Sequence, residues 1–356
     1  MRDPFPLPPI PALSKASEPL AKLLAFPTLP LHVHEVVASA LFYTFVQVVV
    51  SPVLSNWLFP QHYPKTRAKK INWDAHVVSL IQSTLINALA LWVIFVDDER
   101  WNSNFEERVW GYTGSSGMIQ AMACGYFVWD LLVTLLYLDV FGLGLLAHAV
   151  SALAVYSFGF RPFLNFYSCI FILYELSTPF LNIHWFFDKL NMTGSRAQLY
   201  NGIALLFTFF SCRLVWGTYQ SIVVYGDMWK AVHTAPDRIH VVNALSRNAT
   251  LTDPNFNMMS FVTEEEPVPV WLALIYVASN LTLNGLNWVW FFKMIAAVRK
   301  RFEPPKAAVK EGKSFADAVA GKTTGTEKVA APLRRRGNSI VDVIPDSEEL
   351  RKGQIQ

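Results

Sequence analysis

The stretch AHVVSLIQSTLINALALWVIFV, residues 75–96, decides the fold. It is apolar for about the 20 residues that a helix needs to cross a hydrocarbon core of ~30 Å. Six more stretches come close to that length: 36–58, 117–138, 140–158, 162–183, 199–225 and 269–292. The chain has 356 residues, 53% of them hydrophobic and only 16% charged, with a mean hydropathy of +0.29. Soluble domains run nearer a quarter charged, so lipid is the expected solvent. The fold class that follows is an all-α integral membrane protein with about seven transmembrane helices. A net charge of +3 is too small and too scattered to suggest nucleic acid as a partner.

Punctuation between the spans is mostly legible. Residues 1–35 form a Pro-rich head, where Pro4, Pro6, Pro8, Pro9, Pro11, Pro19, Pro27 and Pro30 argue against a continuous apolar helix. No cleavable signal peptide is visible there, so insertion is expected to use the internal segments. The third and fourth spans meet at a turn over Asp139–Gly142. Pro179 should kink the fifth near its end. The tail 303–356 is polar and expected to be disordered. Its run Arg334-Arg335-Arg336 with Ser339 is a candidate for anionic-lipid binding or phosphorylation.

Orientation follows from Lys and Arg near the helix ends. Lys65, Arg67, Lys69 and Lys70 follow the first span; Lys293, Arg299, Lys300 and Arg301 follow the last. Seven spans place both sets on one side, expected to be cytosolic together with the C terminus, with the N terminus lumenal. The acid-rich loop Asp97–Trp110 and the loop 226–268 fall on the other side. The second loop carries the sequon at Asn248, a glycosylation candidate; the sequon at Asn191 lies on the cytosolic side in this arrangement.

Ionisable groups at membrane depth carry the functional signal, since each costs about 2.5–3.5 kcal/mol on insertion scales and usually faces the bundle interior. They are Asp130 in the third span, His148 in the fourth, Glu175 in the fifth and Arg213 in the sixth. His148, Glu175 and Arg213 lie near the middle of their helices, and a Glu175–Arg213 pair would relieve both burial costs. His76, Ser79 and Ser83 share one face of the second span, near Gln82 and Asn87. Asn280, Asn284 and Asn287 share a face of the seventh. Such stripes either line a cavity or hydrogen-bond helices together, and both readings stay open. His148 has the same two readings: catalytic group or proton relay on one side, buried hydrogen-bonder on the other. Cys124, Cys169 and Cys212 sit in apolar stretches without metal-ligand or disulfide spacing. Phosphate-loop, zincin, nucleophile-elbow and clustered-His motifs are missing, so no metal or cofactor is expected.

From about Lys70 to Arg301 the chain resembles the TLC domain, the family of TRAM, the longevity-assurance ceramide synthases and the ceroid-lipofuscinosis membrane protein. The carrying residues are Trp73-Asp74-Ala75-His76, Gly125-Tyr126-Phe127 with Asp130, Gly142 to His148, Glu175-Leu-Ser-Thr-Pro-Phe-Leu-Asn182, Trp185, Asn201-Gly202 and Arg213. The resemblance implies a six-helix bundle over 70–301 around a lipid-accessible cavity, preceded by one helix over 36–58, in the endoplasmic reticulum or a related endomembrane. Family ceramide synthases carry adjacent histidines where this chain reads Leu146-Ala147-His148-Ala149, and Tyr174-Glu175 stands where their His-Asp step is expected. The resemblance is therefore to the non-synthase branch, associated with membrane lipid composition and trafficking. The implied partner is membrane lipid, and no protein partner is assigned. Alternatives are an acyltransferase using His148, with acyl-CoA as co-substrate, and a cargo or translocation factor. His76, Asp130, His148, Glu175, Arg213, Asn280 and Asn284 are the expected cavity-lining or bracing residues.

Overall fold

Apolar runs bounded by charge and proline become helices of membrane-spanning length in the computed structural model, which describes residues 1–246, 257–262 and 265–302. Asn248, Ser339 and the tail 303–356 lie outside the described residues. Among those described, seven helices are long and apolar enough to cross a bilayer. An N-terminal helix α1 (Pro11–Leu24) precedes them, and the spans are α2 (Leu29–Leu58), α3 (Arg67–Val96), α4 (Gly114–Leu136), α5 (Leu138–Phe158), α6 (Asn165–Lys189), α7 (Arg196–His233) and α8 (Val270–Phe302). The chain is an integral, multi-pass membrane protein. Leu41, Val48, Phe207 and Ile222 are exposed on its outer surface, as suits side chains bathed in acyl tails.

Six helices close into a ring. α3 packs on α4, α4 on α5, α5 on α8, α8 on α7, α7 on α6, and α6 returns to α3. α2 lies outside the ring against α4 and α3. Its close approach to α4 needs Gly125, where a β-carbon would collide with the Val36 carbonyl and lie 2.7 Å from the Ser39 β-carbon.

The Pro-rich head is more ordered than its composition suggests. Pro11 occupies the first turn of α1, where its missing N–H costs nothing. Ala25 ends the helix in the left-handed conformation at φ 54°. Pro30 sits in the first turn of α2, so the first span starts at Leu29, ahead of the expected residue 36. The Asp139–Gly142 turn is instead a break inside α5, where Gly142 has φ 76°, a value glycine adopts at no steric cost. Pro179 acts one turn early. Lacking an N–H for the carbonyl of Glu175, it follows a tightened 3₁₀ segment, Ile172–Ser177.

The acid-rich connection 97–110 folds onto the bundle end. A capping box between Asn104 and Glu107 starts a short helix, Phe105–Trp110. Arg108 reaches Asp227 in α7 through two bonds, at 2.8 and 3.0 Å, and the Tyr167 hydroxyl donates to the same carboxylate at 2.6 Å.

Candidate functional site

A cavity of about 190 Å³ lies inside the ring, and every one of its six helices contributes to the wall. The lining comes from the beginning of α3, the end of α4, the beginning of α5, the end of α6, the first half of α7 and the end of α8. In an antiparallel ring these segments share one half of the bundle, the end bearing Lys69, Lys70 and Lys293. His76, Asp130, His148, Glu175 and Arg213 all line it. Residues separated in sequence by whole helices thus face one space.

Arg213 is held on every side. A π-helical turn, Phe210–Trp216, interrupts α7 and turns this side chain inward. Its Nε donates to Ser177 at 3.0 Å, Nη1 to Asn287 at 3.0 Å, and Nη2 to Thr178 at 2.9 Å and Glu175 at 3.4 Å. The expected Glu175–Arg213 pair is therefore present, with side chains 11% and 7% exposed. With its fork filled, Arg213 supplies a fixed field.

Asp130 and His148 differ. Their nearest charged atoms are 3.9 Å apart, too far for a hydrogen bond, and their side chains are 25% and 18% exposed. Neither makes a hydrogen bond among the described residues. The wall therefore offers one carboxyl group and one imidazole with free valences.

His76 is more constrained. Its Nδ1 lies 2.7 Å from Oδ1 of Asn182, and its ring stacks on Trp185 at 4.0 Å. Lys189 stands over the other end of this stack, 5.1 Å from the Trp185 ring. Asn182 also donates to Ser79 at 3.0 Å, so α3 and α6 are clasped at the rim. Asn182 and Trp185 entered the sequence reading only as resemblance residues; the signal for their role was their position one helical turn from each other beside a buried His.

The two polar stripes separate. His76 and Ser79 line the cavity, while Ser83 is buried and donates back to Ser79 at 2.7 Å. Asn280 accepts from the Tyr225 hydroxyl at 2.6 Å and from Asn284 at 2.8 Å; Asn284 also meets Ser221 and the Tyr174 hydroxyl. Asn284 is a brace between α8, α7 and α6. Asn280 faces a smaller cavity of about 40 Å³ behind the first, whose wall includes His148, Glu175 and Arg213.

The comparisons with known proteins meet this geometry directly. The TLC-domain sequence model matches residues 72–296, which contain His76, Asp130, His148, Glu175 and Arg213. The chain belongs to the TLC-domain family. A TLC domain-containing protein of Schizosaccharomyces pombe is 37% identical over 82% of this chain and 87% of its own length. Topoisomerase I damage affected protein 4 of Saccharomyces cerevisiae is 29% identical over 81% of this chain and 93% of its own. TLC domain-containing protein 4-B of Danio rerio is 31% identical over 69% and 80%. The relatives from fission yeast and zebrafish bear TLC domain-containing names rather than ceramide-synthase names, in keeping with Ala147 and Ala149 flanking a single His148.

Proposed function

We propose that this TLC-domain protein holds an acyl-lipid with its polar group in the ring cavity and thereby affects membrane lipid composition. The observation that carries the reading is the pair Asp130 and His148, unbonded on the wall of a space lined by both apolar and polar side chains beside the fixed Arg213–Glu175 pair. At about 190 Å³ the space modestly exceeds the ~150 Å³ that accommodates benzene in an engineered cavity. A headgroup or ester region fits it, and the acyl chains would lie between helices or in the bilayer. Filling the space with Ala75→Trp is expected to cut the acyl-lipid recovered with gently purified protein about tenfold, by mass spectrometry, at unchanged thermal stability. No lipid enriched on the parent protein sinks the reading.

The 3.9 Å separation of Asp130 and His148 favours an acyl-CoA-dependent acyltransferase as the second reading. His148 would take the proton of an attacking hydroxyl or amine as that atom bonds the thioester carbonyl. The carbon–sulfur bond would then break, and the proton would leave with CoA as its thiol. In the same preparation, labelled acyl-CoA would reach lipid with the parent protein and not with His148→Ala.

We propose that the basic end of the bundle is cytosolic. The support is the charge asymmetry between Lys65–Lys70 at one end and Asp97–Glu107 at the other. Glycosylation mapping should find sugar at Asn248 and none at Asn191; the reverse pattern inverts the protein.

A further inference from the structure

A second cluster lies at the opposite end of the bundle from the cavity. His32 and Glu35 stand three residues apart in α2 and so project from one face, with His32 Nδ1 2.8 Å from Glu35 Oε1. The N-terminal segment crosses this face and brings Asp3 Oδ2 to 3.6 Å from the same nitrogen. The His32 and Glu35 side chains are 0% exposed and Asp3 13%. The segment is held in register. Asp3 Oδ1 accepts the Phe5 N–H at 2.9 Å, the Leu7 carbonyl meets His34 at 2.9 Å, and the Met1 carbonyl accepts the Ser115 N–H at 3.3 Å.

Two acids and an imidazole closed off from water call for a positive charge. Among the described residues neither carboxylate has a Lys or Arg ion-pair partner, and Glu35 Oε2 is buried with no hydrogen-bond partner.

We propose that Asp3, His32 and Glu35 bind a divalent transition-metal ion, best suited to Zn²⁺, which fastens the N-terminal segment to α2. The three donor atoms lie within 4.8 Å of one another. Bonds of ~2.1 Å in a tetrahedral site set donors roughly 3.4 Å apart, so the 3.6 Å contact already fits and the 2.8 Å contact opens by about half an ångström. One nitrogen with two carboxylate oxygens suits Zn²⁺ or Mn²⁺, whereas Ca²⁺ and Mg²⁺ prefer all-oxygen cages. The outer contacts also match. The second ring nitrogen of His32 faces the Tyr112 hydroxyl, the kind of contact that fixes a ligating imidazole. Gly117 leaves room for that ring, since a β-carbon there would strike it.

The experiment uses the full-length protein in detergent, purified on a tag without histidines, stripped with chelator and then given Zn²⁺ or Mg²⁺. About one Zn²⁺ per chain is expected after desalting, with a rise in melting temperature of at least ~3 °C that Mg²⁺ does not reproduce. His32→Gln, Glu35→Gln and Asp3→Asn should each lower bound zinc about tenfold and abolish the zinc-dependent rise. Metal-free Glu35→Gln should melt no lower than the metal-free parent, because a like-charged neighbour has been neutralised. That separates a metal site from a hydrogen-bonded cluster, in which the parent gains nothing from zinc and the variants only lose stability. A parent that takes up no zinc, or a Glu35→Gln variant that keeps it, overturns the proposal, and neither result bears on the lipid cavity.

Discussion

Arg213→Ala is expected to cost about 3–5 kcal/mol of stability, the largest effect of any single substitution in the ring. The loss strands Glu175, whose side chain is 11% exposed, as an uncompensated buried charge. Ser177, Thr178 and Asn287 lose their donor at the same time. Arg213→Lys keeps the charge without the planar fork and should fall between parent and alanine variant. The double variant Arg213→Ala/Glu175→Ala should recover part of the loss, since removing both partners is milder than orphaning one. Thermal melts in detergent decide the order. An Arg213→Ala protein melting with the parent would mean that the pair is solvated.

Asp227→Ala comes next, at about 2–3 kcal/mol. The carboxylate accepts two bonds from Arg108 and one from Tyr167 and so ties the 97–110 connection and α6 to α7. The expected cost is smaller than at Arg213 because the Arg108 side chain is 26% exposed and water takes up its charge once it is released. A double-mutant cycle with Arg108→Ala should give a coupling energy of at least about 1 kcal/mol. Strict additivity of the two single variants would show that the two side chains do not act as a pair.

The spans were legible because bilayer thickness imposes a length and a composition that seven segments satisfy. The convergence of His148, Glu175 and Arg213 was legible for a related reason: charge at membrane depth is tolerated chiefly inside a bundle. What periodicity could not supply was the destination of each stripe. The α3 and α8 stripes have the same one-face spacing, yet His76 and Ser79 reach the cavity while Asn284 spends its hydrogen bonds on neighbouring helices. That difference depends on which helix stands opposite, and only the ring closure determines it. The π-helical turn that aims Arg213 and the docking of Asp3 onto α2 were invisible for the same cause. Both are set by contacts between segments far apart in the chain. The prolines of the head do bar a continuous helix, as α1 and α2 are separate, but composition did not show that Pro11 and Pro30 occupy first helical turns, where proline is tolerated, or that Pro19 lies inside α1.

The cavity belongs to one half of the ring, and this one-sidedness has a consequence for traffic. The residues His76, Asp130 and Trp290 that would meet a lipid all stand in the half of the ring at the basic end. Beyond it, the spaces lined by Tyr156 shrink to about 40 and 10 Å³. If the proposed lipid role holds, the pocket would draw its occupant from the leaflet at the basic end, since the space narrows toward Tyr167 to little more than room for one water.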